Sequence, residues 1–245
     1  AMPRSEAPLD LEENAVVIMA GGLGTRLAEL TKDTPKPLLA VGPKPMLETI
    51  IERFVRQGFA RIYISVNHMG ELIEARFGDG SHLGATIEYI HEDKRLGTAG
   101  ALQFLPRVMA PIIVINGDVL TKLDFRKLLD FHVASGKLAT MAVSCHDVQV
   151  PFGVVDVTDL QVNKIVEKPV YRYFVNAGIY VLDPRCLAYL PAGEQTDMTT
   201  LLERLLADGH KVASYPLHEY WQDVGRLDDY LKANREFVSV FESNT

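Results

Sequence analysis

Cysteine is scarce in this sequence, with only Cys145 and Cys186 among 245 residues. The two have no metal-ligand spacing with each other or with the seven scattered histidines, and they give no disulfide framework. The scarcity argues against a metal module and against a disulfide-stapled scaffold. We therefore expect a cytoplasmic protein whose cysteines are small, partly buried apolar residues.

Long apolar runs and an excess of basic residues are also missing. The longest apolar runs, such as "PIIVI" and "AVVIMA", are far shorter than the roughly 18 residues that a membrane helix needs, and no charged-then-apolar leader precedes them. The formal net charge of −7 and the sequence pI of about 5.5 argue against nucleic acid as the main partner. We expect neither a membrane nor a nucleic-acid partner. Because the overall charge is negative, any site that binds an anion must be a local group of residues.

Apolar residues make up 47% of the chain, which is enough to form the core of one large α/β domain. Residues 1–13, "AMPRSEAPLDLEE", are polar with two prolines, and the initial Ala-Met is typical of a tag-removal scar. We therefore expect a scar or linker over residues 1–13 and a single domain over residues 14–245.

Hydrophobic periodicity predicts strands that alternate with helices. Apolar strands such as "NAVVIMA" and "RIYISVN" are separated by helical patterns of about 10–15 residues, which favours parallel pairing in a sheet covered on both faces. A helix is expected to start near "GTAGALQFL", and from Pro151 onward three strand patterns follow without a long helix. The predicted fold is α/β, a Rossmann-like doubly wound mixed sheet in three αβα layers, with a more antiparallel portion.

A glycine-rich loop follows the first predicted strand, in "VVIMAGGLGTRLAELTKDTPKPLLAVG". Glycines let the backbone approach a ligand closely and turn several N–H groups toward it, which suits a polyphosphate, although such a loop is often only a turn. No Gly-Lys-Ser/Thr follows, and Leu27 stands where a dinucleotide fingerprint has its third glycine, so neither motif is present. The fixed charges of Arg26 and Lys36 favour an anion site.

Six ordered motifs make this sequence similar to one known family. "GGLGTRL…TPKPLL", "LGTAGAL", "NGD", "EKP", "NAGIYVL" and "WQDVGR" resemble the motifs of the sugar-1-phosphate nucleotidyltransferases, also called sugar-nucleotide pyrophosphorylases, over roughly residues 14–235. The resemblance implies an enzyme in which a sugar 1-phosphate attacks the α-phosphorus of a nucleoside triphosphate and pyrophosphate leaves. More narrowly, the chain resembles nucleotidyltransferase domains that follow a pair of CBS regulatory domains, with residues 1–13 as the linker.

The resemblance also implies a set of site residues. Arg26 would contact the triphosphate, Lys36 the reacting phosphates, and Lys168 the phosphate of the incoming sugar. Other residues would contact the nucleotide: Ala20, Gly21, Gly22, Gly24, Thr25, Glu92, Gly97 and Thr98. The sugar would be bound by Gly153, Glu167, Asn176 and Gly178, in the more antiparallel portion. The alternatives are surface charges for the lysines and arginine and ordinary turns for Asn176 and Gly178.

Asp118 and Asp223 are the expected metal ligands. Asp118 ends the buried-strand pattern "PIIVINGD" and should lie at the carboxyl edge of the sheet, where open α/β folds bind ligands. The resemblance supplies Asp223 as the second acidic ligand. Mg²⁺ suits such a pair because it prefers one or two carboxylates and completes its shell with water and phosphate oxygens. Either aspartate could instead cap a turn.

Glu92 bears on which nucleotide base is bound, because the resemblance places the segment before "LGTAGAL" along the pocket for that base. A carboxylate only accepts hydrogen bonds, and guanine offers two adjacent donors, so an ionised Glu92 favours GTP. UTP and dTTP stay open, as does a Glu92 that points to solvent and pairs with Lys94 or Arg95.

Two other functions compete with nucleotidyl transfer. A non-catalytic sugar-nucleotide sensor would lack metal aspartates or phosphate lysines, and a glycosyltransferase would want a DxD-type motif that "NGDVL" does not supply. Glucosamine, mannose, heptose or N-acetylated hexosamine 1-phosphate are all open as the sugar, and so is a homo-oligomer. His68, His82 and His132 have no partner at ligand spacing, so we expect structural or surface roles for them.

Overall fold

A computed structural model describes residue 11 and residues 13–22, 24–27 and 29–242. Most of the expected linker, together with Leu23 and Ala28 of the glycine-rich segment and residues 243–245, lies outside the described residues. Within the described ranges, no helix has the length and apolarity needed to cross a membrane.

Thirteen strands form in the described chain, and most follow the apolar patterns of the sequence. They are β1 (Val16–Met19), β2 (Ala40–Val41), β3 (Lys44–Pro45), β4 (Arg61–Val66), β5 (Thr86–His91), β6 (Ile112–Asn116), β7 (Val119–Thr121), β8 (Ala139–Gln149), β9 (Val154–Thr158), β10 (Gln161–Val166), β11 (Val170–Leu182), β12 (Val212–Pro216) and β13 (Trp221–Asp223).

Seven of these strands make the central sheet, in the order β12-β8-β11-β6-β1-β4-β5. Strand β1 pairs in parallel with β4 and β6, and β4 pairs in parallel with β5. Strand β11 runs antiparallel to both β6 and β8, and β12 is parallel to β8. The predicted Rossmann-like mixed sheet with an antiparallel portion is confirmed.

Helices cover both faces of the sheet, as the three-layer prediction requires. They are α1 (Met46–Arg56), α2 (Gly70–Phe77), α3 (Gly97–Gly100), α4 (Phe125–Ser135), α5 (Met198–Ala207) and α6 (Leu227–Phe237). Strand β1 shows why two layers are needed, because Val16 and Ile18 pack into one hydrophobic cluster and Val17 into the other. A strand buried on both faces reads as a continuous apolar run.

One predicted helix is much shorter than expected. The segment from Gly97 forms the single turn α3 and then a 3₁₀ turn, Ala101–Phe104. Gly97 has a φ of +78°, which is outside the helical region, and Leu105 is extended at φ −60° and ψ 138° before Pro106. The backbone conformations of Gly97 and Leu105 therefore end the helical segment on both sides.

Helix α6 ties the C-terminal part of the chain to the segment after Lys36. The hydroxyl of Tyr230 donates to the carbonyl of Ala40 at 2.8 Å, and the N–H of Gly42 donates to Oδ1 of Asn234 at 3.1 Å. Gly42 has a φ of +68°, and a Cβ there would overlap the ring of Phe237. These contacts hold α6 against β2.

Candidate active site

A cleft of about 420 Å³ opens at the carboxyl ends of the parallel strands β1, β5 and β6. Three main-chain hydrogen bonds continue past the strand ends and fix its floor: Ala20 to Ser65 at 2.9 Å, Glu92 to Val66 at 3.0 Å, and Gly117 to Met19 at 2.9 Å. Its lining comprises Met19, Ala20, Gly21, Gly22, Arg26, Lys36, Pro37, Glu92, Arg95, Gly97, Thr98, Asn116, Gly117, Asp118, Gln195, Asp197 and Asp223.

Gly21 and Gly22 give the cleft a wall of bare main chain. A Cβ on Gly21 would lie 2.9 Å from Oε1 of Glu92, so only glycine leaves that carboxylate in place. Gly22 faces open space, with no atom within 4 Å of a Cβ position. Among the described residues, neither N–H has a hydrogen-bond acceptor, which leaves both for a ligand anion.

Gly24 and Thr25 do not line the cleft, and they stay predictions as nucleotide contacts. Gly24 has a φ of +65°, and its carbonyl accepts from the N–H of Leu27 at 2.8 Å and from the hydroxyl of Thr31 at 3.1 Å. These bonds close the 3₁₀ turn Thr25–Leu27, which carries Arg26 to the cleft. The guanidinium of Arg26 lies 3.4 Å from the Cβ position of Gly225.

Lys36 is buried and its ammonium donates to Oδ2 of Asp118 at 2.5 Å. The side chain of Lys36 is 9% exposed, whereas that of Asp118 is 25% exposed. The flanking prolines explain the fixed geometry, since Pro35 precedes and Pro37 lies within the 3₁₀ turn Lys36–Leu38. Lys36 thus reaches the cleft as a rigidly held charge.

Asp223 stands beside Asp118 because β13 pairs antiparallel with β7, with Asp223 opposite Val119. Burial, and next the negative charge of Asp118, raise the pKa of Asp223, while Lys36 and Arg26 oppose the shift. Its Oδ1 is buried without a hydrogen-bond partner among the described residues. An unpaired, buried carboxylate oxygen next to a second carboxylate fits a hard cation.

The donor set fits Mg²⁺ better than a metal held wholly by protein. The described residues contain no group of three or more His, Cys, Asp or Glu side chains arranged for a metal. A cation here would therefore take two carboxylates from the protein and its other ligands from water and substrate, as Mg²⁺ commonly does with phosphates.

Glu92 is half-buried, and its carboxylate faces the cleft. One oxygen accepts from the hydroxyl of Ser65, and the other accepts from the N–H of Leu96 at 2.9 Å. No ion pair joins Glu92 to Lys94 or Arg95 in the described part of the chain. The carboxylate is therefore oriented by β4 and by the turn before α3.

Thr98 and Asp197 cap one another across the cleft wall, a contact that the sequence did not indicate. The N–H of Thr98 donates to Oδ1 of Asp197 at 3.1 Å, and the N–H of Met198 donates to Oγ1 of Thr98 at 2.9 Å. The carbonyl of Thr196 accepts from the N–H groups of Ala99 and Gly100, each at 3.0 Å. Two segments distant in sequence thus fix the α3 turn.

Gly178 and Asn176 meet protein partners rather than open space. A Cβ on Gly178, which has a φ of +69°, would lie 2.7 Å from Nδ2 of Asn116. Asn176 accepts from the N–H of Gly178 at 3.0 Å and donates to the hydroxyl of Tyr180 at 2.6 Å. The space beside Gly178 is therefore filled by Asn116, and sugar contacts by Gly178 and Asn176 stay predictions.

Gly153, Glu167 and Lys168 lie outside the cleft, on the exposed turns that flank β9 and β10. A Cβ on Gly153 would lie 3.0 Å from Oε2 of Glu167, so these two are neighbours. Lys168 has a φ of +45°, an uncommon conformation for a residue other than glycine. These three positions are brought to one end of the hairpin, apart from the ten predicted residues in the cleft.

Sequence reasoning missed seven of the residues that line the cleft, and four of these carry polar side chains: Arg95, Asn116, Gln195 and Asp197. Asn116 had a local signal, because it ends β6 two residues before Asp118, and its Oδ1 is buried without a partner among the described residues. Arg95 also had a local signal, because it directly precedes "LGTAGAL", whereas Gln195 and Asp197 had none, since only the fold brings residues 195–197 beside α3.

The chain matches a protein-family model described as Nucleotidyl transferase over residues 15–239. A mannose-1-phosphate guanyltransferase of Debaryomyces hansenii is 34% identical over 235 residues, which is 91% of this chain and 64% of that protein. A UTP–glucose-1-phosphate uridylyltransferase of Synechocystis is 30% identical, with 91% and 63% covered. The chain thus spans a little under two thirds of the length of these curated relatives.

Solved structures share the fold. A Bacillus anthracis protein in complex with a sucrose superposes with a TM-score of 0.72 at 26% identity, covering 91% of this chain and 94% of that one. HddC from Yersinia pseudotuberculosis complexed with GMP-PN gives a TM-score of 0.70 at 28% identity, covering 91% and 99%.

Proposed function

Since the chain belongs to the nucleotidyl transferase family, we propose that it transfers a nucleotidyl group from a nucleoside triphosphate to a sugar 1-phosphate. An oxygen of the sugar phosphate attacks the α-phosphorus. The new P–O bond forms as the bond to the bridging oxygen of pyrophosphate breaks, and pyrophosphate leaves with that electron pair. The relatives named for guanylyl and uridylyl transfer support this reaction class.

The observation that carries the proposal is the cluster of Lys36, Asp118 and Asp223 beside the bare main chain of Gly21 and Gly22. Two anions must meet in this reaction, so catalysis rests on positioning and charge neutralisation. Lys36 would give up its contact with Asp118 to hold the reacting phosphates, and Arg26 would hold the triphosphate. The N–H groups of the loop would cradle it.

Asp118 and Asp223 would hold Mg²⁺. When bound, the ion supplies Lewis-acid neutralisation of phosphate charge. Two observations support this position for the ion. Oδ1 of Asp223 has no hydrogen-bond partner in the described part of the chain, and the pKa of Asp223 is raised because burial and the charge of Asp118 both disfavour its charged form.

The sugar side would be formed by the residues at the end of the β9–β10 hairpin. Lys168 would bind the sugar phosphate, Glu167 would accept hydrogen bonds from sugar hydroxyls, and Gly153 beside it would leave room for the ring. Glucosamine, mannose, heptose and N-acetylated hexosamine 1-phosphates are all compatible with these groups.

GTP is the favoured nucleotide. Both oxygens of Glu92 already accept one hydrogen bond each, from Ser65 and Leu96, which fixes a carboxylate edge in the cleft. A carboxylate oxygen can accept a second bond, and guanine offers two adjacent donors for such an edge. The named guanyltransferase relative is consistent with this choice. The alternative within the family is a uridylyl or thymidylyl transfer, as the Synechocystis relative suggests.

A non-catalytic sugar-nucleotide sensor is the alternative outside catalysis, and the full set Arg26, Lys36, Asp118, Asp223 and Lys168 disfavours it. CBS regulatory domains preceding this domain and a cytoplasmic location stay predictions.

Pyrophosphate release tests the proposal directly. GTP, UTP, dTTP, CTP and ATP would each be combined with each of the four sugar 1-phosphates, with and without Mg²⁺. We expect pyrophosphate only when both substrates and Mg²⁺ are present, with GTP giving the highest kcat/KM. Binding of a sugar nucleotide without turnover of any pair would establish a sensor instead.

A further inference from the structure

Arg95 is a cation in the cleft to which the proposed reaction gives no role. Its side chain is exposed and lines the cleft beside Glu92 and Thr98. In the described part of the chain, this side chain makes no hydrogen bond and no ion pair. The neighbouring Lys94 does not line the cleft, and its ammonium lies 4.0 Å from the Cβ position of Gly193. Of these two adjacent basic residues, Arg95 is therefore the one that a ligand in the cleft can contact.

The turn that carries Arg95 is held on both sides. Before it, the carbonyl of Glu92 accepts from Nδ2 of Asn67 at 2.5 Å. After it, Leu96 is buried and its carbonyl accepts from the N–H of Thr196 at 2.8 Å. Arg95 thus extends from fixed main chain, so only the side chain has to be ordered when it binds a ligand.

The main chain of Arg95 lies close to the carboxylate of Glu92. The N–H of Leu96 donates to Oε2 of Glu92 at 2.9 Å. Since Cα of Arg95 is about 2.4 Å from that nitrogen across the peptide unit, this Cα lies within about 5 Å of the carboxylate. A long arginine side chain that starts there can contact the same part of a ligand as Glu92.

Charge indicates which part of a nucleotide lies against Glu92. The phosphates are assigned to Arg26, Lys36 and the glycine-rich loop, and the carboxylate of Glu92 repels a phosphate. The base is the uncharged part that carries hydrogen-bond donors, so the base fits against Glu92. A guanidinium has only donors. Arg95 therefore needs acceptors on that same base, next to the donors that Glu92 takes.

Guanine carries its groups in this order. Its exocyclic amine and ring imino N–H are followed along the edge by O6 and N7, which are both acceptors. An arginine matches O6 and N7 with two parallel hydrogen bonds, the commonest specific contact of proteins with guanine. Adenine has an amine donor in place of O6, and the pyrimidines have no N7. Guanine is thus the base that offers acceptors to Arg95 beside donors to Glu92.

We propose that Arg95 is a specificity residue that binds O6 and N7 of guanine while Glu92 binds the two neighbouring donors. The inference rests on the nucleotidyl transfer and on the choice of GTP proposed above. It adds a second residue that selects the base: Arg95 disfavours adenine through the amine of that base, and it disfavours pyrimidines through the missing N7.

Two analogues of GTP test the two contacts separately. 7-deaza-GTP lacks N7, the acceptor assigned to Arg95, whereas inosine triphosphate lacks the amine assigned to Glu92. In wild type, kcat/KM should be roughly 10-fold lower for each analogue than for GTP, the scale of one hydrogen bond to a charged group. In Arg95→Ala, GTP and 7-deaza-GTP should agree within about 2-fold, while the discrimination against inosine triphosphate remains.

Lys94→Ala is the matched control, because it removes the same charge from the adjacent position outside the cleft. It should keep the wild-type discrimination against both analogues. Arg95→Ala should also lower kcat/KM for GTP by roughly 10–100-fold relative to Lys94→Ala, the scale of one bidentate base contact. Glu92→Gln should show the reverse pattern, losing the discrimination against inosine triphosphate and keeping that against 7-deaza-GTP.

Calorimetric dissociation constants of the three nucleotides, measured without sugar phosphate, report the same contacts independently of turnover. Discrimination against 7-deaza-GTP that is absent in wild type, or that persists in Arg95→Ala, would remove Arg95 from the base even if pyrophosphate is released. A wild type that prefers a pyrimidine would overturn the proposal together with the choice of GTP. If no substrate pair released pyrophosphate, nucleotidyl transfer would be refuted, and the dissociation constants would still decide the role of Arg95.

Discussion

The main-chain N–H of Val224 donates a 2.9 Å hydrogen bond to the carbonyl of Asp118. This bond locks β13 to the end of β6, and it sets Asp223 beside Asp118 although the two are far apart in the sequence. The indole of Trp221 secures the same strand from the other side, donating to the carbonyl of Ala177 at 2.8 Å. The carboxylate pair therefore depends on strand pairing rather than on flexible loops.

Asp118→Asn and Asp223→Asn should each lower kcat for pyrophosphate release at least ~100-fold, because each removes a charge from the proposed Mg²⁺ site while keeping its shape. Asp130→Asn, at an exposed position of α4, is the control and should keep the wild-type rate. Near wild-type turnover by both site variants would show that the metal assignment is wrong.

Lys168→Ala should raise the KM for the sugar phosphate by roughly 10–100-fold, the scale of a lost charge-assisted hydrogen bond, with little change in kcat. Lys36→Ala should instead lower kcat, since its proposed contact is with the reacting phosphates. Lys164→Ala, on the neighbouring exposed strand, is the control. An unchanged KM in Lys168→Ala would remove Lys168 from the sugar site.

Glu92→Gln should reduce the preference for GTP by about 1–3 kcal/mol, the scale of mispairing a buried polar group. The amide replaces one acceptor oxygen with a donor, which would face Ser65, the N–H of Leu96 or the base. Values of kcat/KM for five nucleotides decide the matter, with Asp93→Asn as the neighbouring control. A wild type that prefers a pyrimidine would contradict the role of Glu92.

Gly97→Ala should destabilise the fold by about 1–3 kcal/mol, the scale of a non-glycine residue at positive φ. Gly97 has a φ of +78°, and a Cβ would lie 2.7 Å from the carbonyl oxygen of Thr196. Gly22→Ala is the matched control, since nothing lies within 4 Å of its Cβ position. Equal midpoints for the two variants in urea unfolding would show that the α3 turn is adaptable.

Acidification should destabilise the protein partly through His132. The ring is buried and its Nδ1 lies 2.9 Å from the hydroxyl of Thr140. Burial lowers the pKa of His132 below its ordinary 6.5, so the unfolded chain binds the proton more readily than the folded one. The stability that His132 contributes is present above pH 6.5, and it is lost as the pH falls through the pKa of His132 in the folded protein.

The variant His132→Gln should therefore show a smaller fall in Tm than wild type between about pH 7.5 and about pH 5. His82→Gln, at an exposed position, should keep the wild-type slope. Parallel Tm profiles for wild type and His132→Gln would show that His132 does not contribute to the acid sensitivity.

Local features of the sequence predicted those cleft residues that directly follow a strand. Gly21 and Gly22 follow β1, and Asp118 follows β6, so strand ends alone place them at one edge of the sheet. Asp223 came from the family motif, and the pairing of β13 with β7 places it beside Asp118, while its role as a metal ligand stays a prediction.

Contacts that depend on two distant segments were not predictable. The cap between Thr98 and Asp197 joins residues 99 apart in the chain. The filling of the space at Gly178 by Asn116 likewise depends on the pairing of β11 with β6. The helix expected from Gly97 shows the same limit, because glycine at positive φ and the contact with Thr196 override an otherwise helical pattern.

The hydrogen bond from Tyr230 to Ala40 also orders events during synthesis. The two residues are 190 apart, and at about 5–20 residues per second a ribosome needs on the order of 10–40 s to make that length. During that interval the segment just after Lys36 lacks its covering helix. Strand β2, which follows Lys36, therefore stays without its packing partner until α6 has been made, although its own residues are translated 190 positions earlier.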